Sequence, residues 1–259
     1  CGGGGRLAWV GGGVGGGGQL LGVNRVGSAA ALAPPVGEAG LGKSRLLAEL
    51  RAATSSGTPW HEARALSYGQ SLPYHPWKAL TRHLLGAGDG AGDEAVRQRL
   101  RSLARDGFPA RSVPYLELLV GLPVEGGPVV DGEALVQAMS GAVLDLTRHG
   151  LTIDGRSSPL VLVLEDLQWA DRASLELVAQ VASLTAVGPL LLACVLRPEK
   201  KASSWALLDR LRSSLPERYT QVDLAPLDAN ASRRLLENLL HVDDLPDGLR
   251  SKILARSEG

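Results

Sequence analysis

The sequence predicts an α/β fold in three layers, helices packed on both sides of a mainly parallel sheet, and three observations carry that expectation. Leu160–Leu164 (LVLVL) and Leu190–Leu196 (LLLACVL) are short continuous apolar runs, the pattern of strands buried on both faces of a parallel sheet. Between them, Asp171 to Thr185 has helical spacing, with Leu175, Val178 and Ala182 on one face, which makes a strand–helix–strand unit. Upstream, a glycine-rich octapeptide at 37–44 leads directly into an amphipathic helix.

The remaining elements follow in chain order. Residues 1–30 are rich in glycine without a sustained period; too little side-chain surface is available to offset the ordering entropy, so disorder is expected. Residues 31–36 form a strand candidate interrupted by Pro34 and Pro35. Lys43–Ala53 reads as a helix with Leu46, Leu47 and Leu50 on one face, and Trp60–Leu66 as a second strand. Residues 75–86, 93–105 and 112–120 read as helices, and Asp131 stands where it could cap a fourth, whose apolar stripe is Leu135, Met139, Val143 and Leu146. After the paired apolar strands come a helix near 203–213, a strand near 218–224, and helices near 229–240 and 246–257. The expected organisation is a core over 31–226 carrying a helical insertion at about 75–149, then the start of a helical lid at 227–259.

Composition narrows the classes. The chain has 259 residues, 44% hydrophobic, enough for a sizeable core. Its formal net charge is zero, so long-range attraction to nucleic acid or to an anionic membrane finds no support there. The two cysteines, Cys1 and Cys194, have neither metal-ligand spacing nor the number a disulfide framework needs, which points to a reducing, cytoplasmic setting. No apolar run approaches the ~20 residues of a membrane helix, and the first residues lack a signal-peptide pattern. Because the chain does not start with Met and stops within what reads as a helix, a fragment of a longer protein is expected.

Gly37-Glu38-Ala39-Gly40-Leu41-Gly42-Lys43-Ser44 fits G-x-x-x-x-G-K-[ST] at every fixed position. The glycines allow a tight turn in which successive backbone N–H groups point at an anion, and the helix that opens at Lys43 adds its positive end. Lys43 supplies a flexible point charge for the β and γ phosphates, Ser44 a hydroxyl for Mg2+, and Arg45 is the next candidate nucleotide contact. The apolar strand at 160–164 runs into Glu165 and Asp166. Carboxylates at the carboxyl end of a buried parallel strand face the crevice where α/β sheets bind ligands. One of the pair would hold the magnesium and the other orient the attacking water; the residues do not decide which. Asp171 reads as a helix N-cap and Trp169 as packing. Arg197, after the second apolar strand, could reach the γ phosphate or pair with Glu199.

Taken together these residues resemble the ATPase modules of the STAND class, signal-transduction relatives of AAA+ proteins found in bacterial regulators beside cyclase domains or tetratricopeptide repeats. The matching stretches are GEAGLGKSRLLAEL (37–50), RALSYGQSLPYHPW (64–77), PYLELLVGLP (114–123), PLVLVLEDLQWADRASLELV (159–178), PLLLACVLRPE (189–199) and DLAPLDANASRRLLENLL (223–240). The resemblance implies a P-loop NTPase with Walker A at 37–44, Walker B carboxylates at Glu165 and Asp166, a sensor-like Arg197, a lid starting after 228, and an insertion that contains 64–77. In that insertion Tyr68, Tyr74 and Trp77 are expected in the core. It also implies ATP and Mg2+ as ligands, other domains of the same protein as partners, and room for homo-oligomers. Two features depart from the family pattern: the glycine-rich 1–30 replaces the usual N-terminal segment, and prolines interrupt the first strand. The expected function is slow Mg-dependent ATP hydrolysis as a switch; a non-hydrolysing nucleotide scaffold and a protein-interaction module are the alternatives.

Overall fold

A computed structural model describes residues 31–224, apart from 34, 38–39, 70–71, 89, 125–126, 128–129, 154 and 199–202. The elements run β1 (Ala31–Ala33), β2 (Pro35–Val36), α1 (Lys43–Ala53), β3 (Trp60–Arg64), α2 (His75–Leu84), α3 (Asp93–Arg105), α4 (Val113–Val120), α5 (Gly132–Gly150), β4 (Thr152–Ile153), β5 (Arg156–Ser157), β6 (Leu160–Glu165), α6 (Arg172–Ser183), β7 (Leu190–Cys194), α7 (Ser203–Ser214) and β8 (Val222–Asp223). The glycine-rich segment 1–30 and the expected lid helices after 227 lie outside the described residues.

The main sheet has the order β1-β7-β6-β3 with every pairing parallel. β2 continues the line of β1 and pairs with β8, also in parallel, while Val36 bridges to Leu196 beyond β7. The prolines therefore do not remove the first strand; they divide it into two short pieces. Pro35 has no N–H to donate, and the ladder there is carried by its neighbours: Leu224 N donates to Val36 O at 2.8 Å.

Alternation along the strands sends side chains to two different helical layers. Val161, Val163, Leu191, Ala193 and Val195 pack with Leu47 of α1 on one face. Leu160, Leu162, Leu164, Leu190, Leu192 and Cys194 belong to a larger core with Trp77 and Leu80 of α2, Leu116 of α4, Val143 of α5, Val178 of α6 and Leu208 of α7. The continuous apolar runs in the sequence reflect this double burial: a central strand between two layers has no solvent face.

Several expected boundaries shift. The second strand ends at Arg64, the strand expected at 218–224 contracts to Val222–Asp223, and the 190–196 run is a strand only to Cys194. A small antiparallel pair, β4 with β5, was not apparent in the apolar pattern because neither piece exceeds two residues. Asp131 occupies the N-cap of α5 but makes no side-chain cap hydrogen bond. Asp171 caps α6, its carboxylate accepting from Ser174 N at 2.9 Å. Trp77 and Tyr74 are buried as expected; Tyr68 is not, at 68% exposure, because it sits on a turn past the end of β3 rather than on an element that faces the core.

Candidate functional site

The phosphate-loop candidate leaves β2 at Gly37 and returns at the first turn of α1. Gly40 and Gly42 adopt φ 85° and 88°, conformations that side-chain-bearing residues rarely take, and Gly42 is the N-cap of α1. Gly37 serves differently: a Cβ there would stand 3.0 Å from Leu224 Cβ, just past β8, so a larger residue would crowd that neighbouring segment. Lys43 Nζ donates to Gly37 O, folding the lysine back across the mouth of the loop. Ser44 is exposed in the first helical turn. Arg45 pairs with Glu49 one turn along the exposed face of α1, so its guanidinium is engaged there. Leu41 lies beside Gly37, and Glu38 and Ala39 lie outside the described residues.

Glu165 is the last residue of β6. It shares parity with Val161 and Val163, which pack against α1, and so emerges on the α1 face at the carboxyl edge of the sheet. Asp166 follows in a left-handed conformation, φ 57° and ψ 37°, which turns the chain into a 3-10 turn at Leu167–Trp169. Arg197 lies three residues past the end of β7, the strand between β1 and β6, and its backbone N–H donates to Gln168 Oε1 at 3.2 Å. The parallel sheet thus brings the glycine loop, the carboxylate pair and the segment that carries Arg197 to one edge. The alternative pairing of Arg197 with Glu199 lies outside the described residues. Trp169 packs against the large core.

Two residues that the sequence did not single out enter the site. Arg64, at the end of β3, is in register with Glu165. Its Nη2 lies 3.1 Å from Glu165 Oε2 and its Nε 3.4 Å from Asp166 Oδ2. The hydrogen bond to Glu165, together with that carboxylate's charge, pushes the guanidinium above its ordinary pKa. Gln168 is buried; its Nε2 donates to Asp166 Oδ1 at 3.2 Å, and its Oε1 accepts from Arg197 N at 3.2 Å. No local signal marks Arg64, which ends a strand of mixed polarity, WHEAR. No periodicity distinguishes Gln168.

The donor set suits a nucleotide with Mg2+. The loop supplies turns that only glycine adopts easily, and α1 has its N-terminus there. Among the described residues no group of three or more His, Cys, Asp or Glu side chains gathers at one point, and a hard cation that keeps most of its water needs no more than one or two carboxylates and a hydroxyl.

Residues 36–193, more than half of the chain, match the model of the AAA ATPase domain. An uncharacterized protein of Rhizobium meliloti (strain 1021) is 29% identical over 207 residues, which covers 76% of this chain and 18% of that much longer protein. Solved structures with similarity include a chain of Drosophila ORC bound to GC-rich DNA and Cdc6 (TM-score 0.35, 12% identity, 86% of this chain and 61% of that one). Another is a chain of Drosophila ORC bound to AT-rich DNA and Cdc6 (TM-score 0.37, 14% identity, 86% and 56%). With its glycine loop, acidic strand end and parallel sheet all contained in or adjoining the matched span, the chain belongs to the AAA ATPase domain family.

Proposed function

We propose that the chain binds ATP with Mg2+ and hydrolyses it slowly, as the nucleotide-dependent switch module of a larger signalling or transcriptional regulator. One observation carries this reading: Glu165 emerges on the sheet face that α1 covers, and α1 opens with Lys43 and Ser44. In this reading the amides of 37–44 and the helix N-terminus hold the triphosphate, and Lys43 leaves Gly37 O to pair with the β and γ phosphates. Ser44 and one carboxylate would hold the magnesium, which when bound would supply positive charge beside the phosphate oxygens. The other carboxylate orients a water. The water's oxygen bonds to the γ phosphorus as the bond to the β–γ bridging oxygen breaks; the water's proton passes to a phosphate oxygen, and ADP and phosphate are released. Arg197 would register the γ phosphate.

The core over 31–226 would act with a helical insertion at about 75–149 and a lid over 227–259, joined to further domains of the same protein and able to form homo-oligomers. No helix among the described residues is long and apolar enough to cross a membrane. The cytoplasmic setting proposed for the module rests on its two cysteines, which have neither metal-ligand spacing nor the number a disulfide framework needs. The test is phosphate release by the chain against Lys43→Ala; equal rates would refute hydrolysis. A non-hydrolysing nucleotide scaffold is the second reading, and a specific contact favours it: Arg64 pairs with both carboxylates that catalysis would need. Tight Mg-ATP binding without turnover would select that reading.

A further inference from the structure

The turn that follows β6 contains a buried amide bonded at both ends. Asp166 is one of two non-glycine residues with positive φ among the described residues, and such a conformation persists only where its surroundings hold it. Backbone bonds hold it on its C-terminal side: Leu167 N donates to Val195 O at 3.0 Å and Trp169 N to Asp166 O at 2.9 Å. The carboxylate is addressed on both oxygens. Arg64 Nε lies at Oδ2, and Gln168 Nε2 donates to Oδ1. The Arg64 side chain is 54% exposed and reaches in from solvent, whereas Gln168 is 5% exposed and fixed from within. The other end of the same amide accepts the N–H of Arg197, 29 residues away and three residues past the end of β7.

We infer that Gln168 is a positioning residue for ATP hydrolysis: it holds the Asp166 carboxylate at a set distance from the backbone of Arg197. The inference rests on the hydrolysis reading above. A primary amide meets both demands because it donates from one atom and accepts at another, and the two partners are a carboxylate, which can only accept, and a backbone N–H, which can only donate. No apolar or singly functional side chain satisfies both. Through this bridge, a shift of the β7 end caused by Arg197 engaging a phosphate would be felt at Asp166, and the reverse.

Two variants separate this role from packing. Gln168→Leu keeps most of the volume and removes both hydrogen bonds. Gln168→His keeps one donor and one acceptor, since a neutral imidazole donates from one ring nitrogen and accepts at the other.

The experiment measures kcat and KM for Mg-ATP in wild type, Gln168→Leu, Gln168→His and Lys43→Ala at about pH 8, where imidazole is neutral, with folding checked by thermal melting. We expect Gln168→Leu to lose about tenfold or more in kcat with KM within about threefold, as for an interaction used in the transition state. Gln168→His should stay within about threefold of wild type in kcat, because both hydrogen-bonding functions remain. Wild-type kcat in Gln168→Leu would overturn the inference and leave hydrolysis standing. Parallel loss of kcat and of nucleotide binding in both variants would also overturn it, since that marks a role in folding alone. Equal rates for wild type and Lys43→Ala would remove the hydrolysis reading and this inference with it.

Discussion

Arg64→Ala should increase the affinity of the carboxylate pair for magnesium. Arg64 reaches Glu165 at 3.1 Å and Asp166 at 3.4 Å, so a cation arriving at either carboxylate competes with it. The guanidinium is 54% exposed, against 17% for Glu165 and 27% for Asp166, so the pairs are screened and each belongs to the weak, surface class. Taking about 0.5 kcal/mol for each gives about 1 kcal/mol in total, and a change of that size shifts a midpoint about fivefold. The assay follows thermal stabilisation at fixed ATP while Mg2+ is titrated, for wild type, Arg64→Ala and Arg64→Lys. The Mg2+ midpoint should fall about fivefold in Arg64→Ala and by less in Arg64→Lys, and the difference should shrink in high salt as exposed charges are screened. An unchanged midpoint, or one that rises, would refute the idea that Arg64 and the metal compete for the same oxygens.

Three further outcomes follow from local chemistry. Gly42→Ala should cost about 1–2 kcal/mol from backbone conformation alone, because Gly42 sits at φ 88° while an added Cβ would meet nothing within 4 Å; urea denaturation should show a lower midpoint at unchanged slope. Burial, and then the charge of His83, hold the His61 imidazole below its ordinary value of 6.5. The unfolded chain then binds the extra proton first, so this stabilisation is complete above the unfolded value and is lost as pH falls towards the folded one. The urea midpoint should accordingly drop on acidification from about pH 7.5 to about pH 5.5, and drop less in His61→Gln. Burial pushes the Cys194 thiol up to about 12, so in a Cys1→Ser chain iodoacetamide should leave it unmodified until urea unfolds the protein; labelling of the folded chain at the unfolded rate would contradict its burial.

Much of the site was legible in the sequence because its parts are local. The loop 37–44 needs glycine where φ turns positive, a lysine and a hydroxyl at the start of a helix, and these fall within eight consecutive residues. The apolar runs at 160–164 and 190–194 declare strands without a solvent face, and Asp171 declares the start of α6 because an N-cap acts over three residues. Arg64 and Gln168 stayed hidden for the opposite reason. Arg64 meets Glu165 across 101 residues of chain, through a parallel register that no short-range pattern encodes. Gln168 meets Arg197 only because β6 and β7 lie side by side. Tyr68 was misplaced because an aromatic ring in a sequence reads as core, whereas its exposure depends on where the chain turns after β3. What composition and spacing determine is which residues can turn, cap, bury or bind. Which of them share one edge and one face is decided by strand order and alternation, because those alone fix distances between residues far apart in the chain.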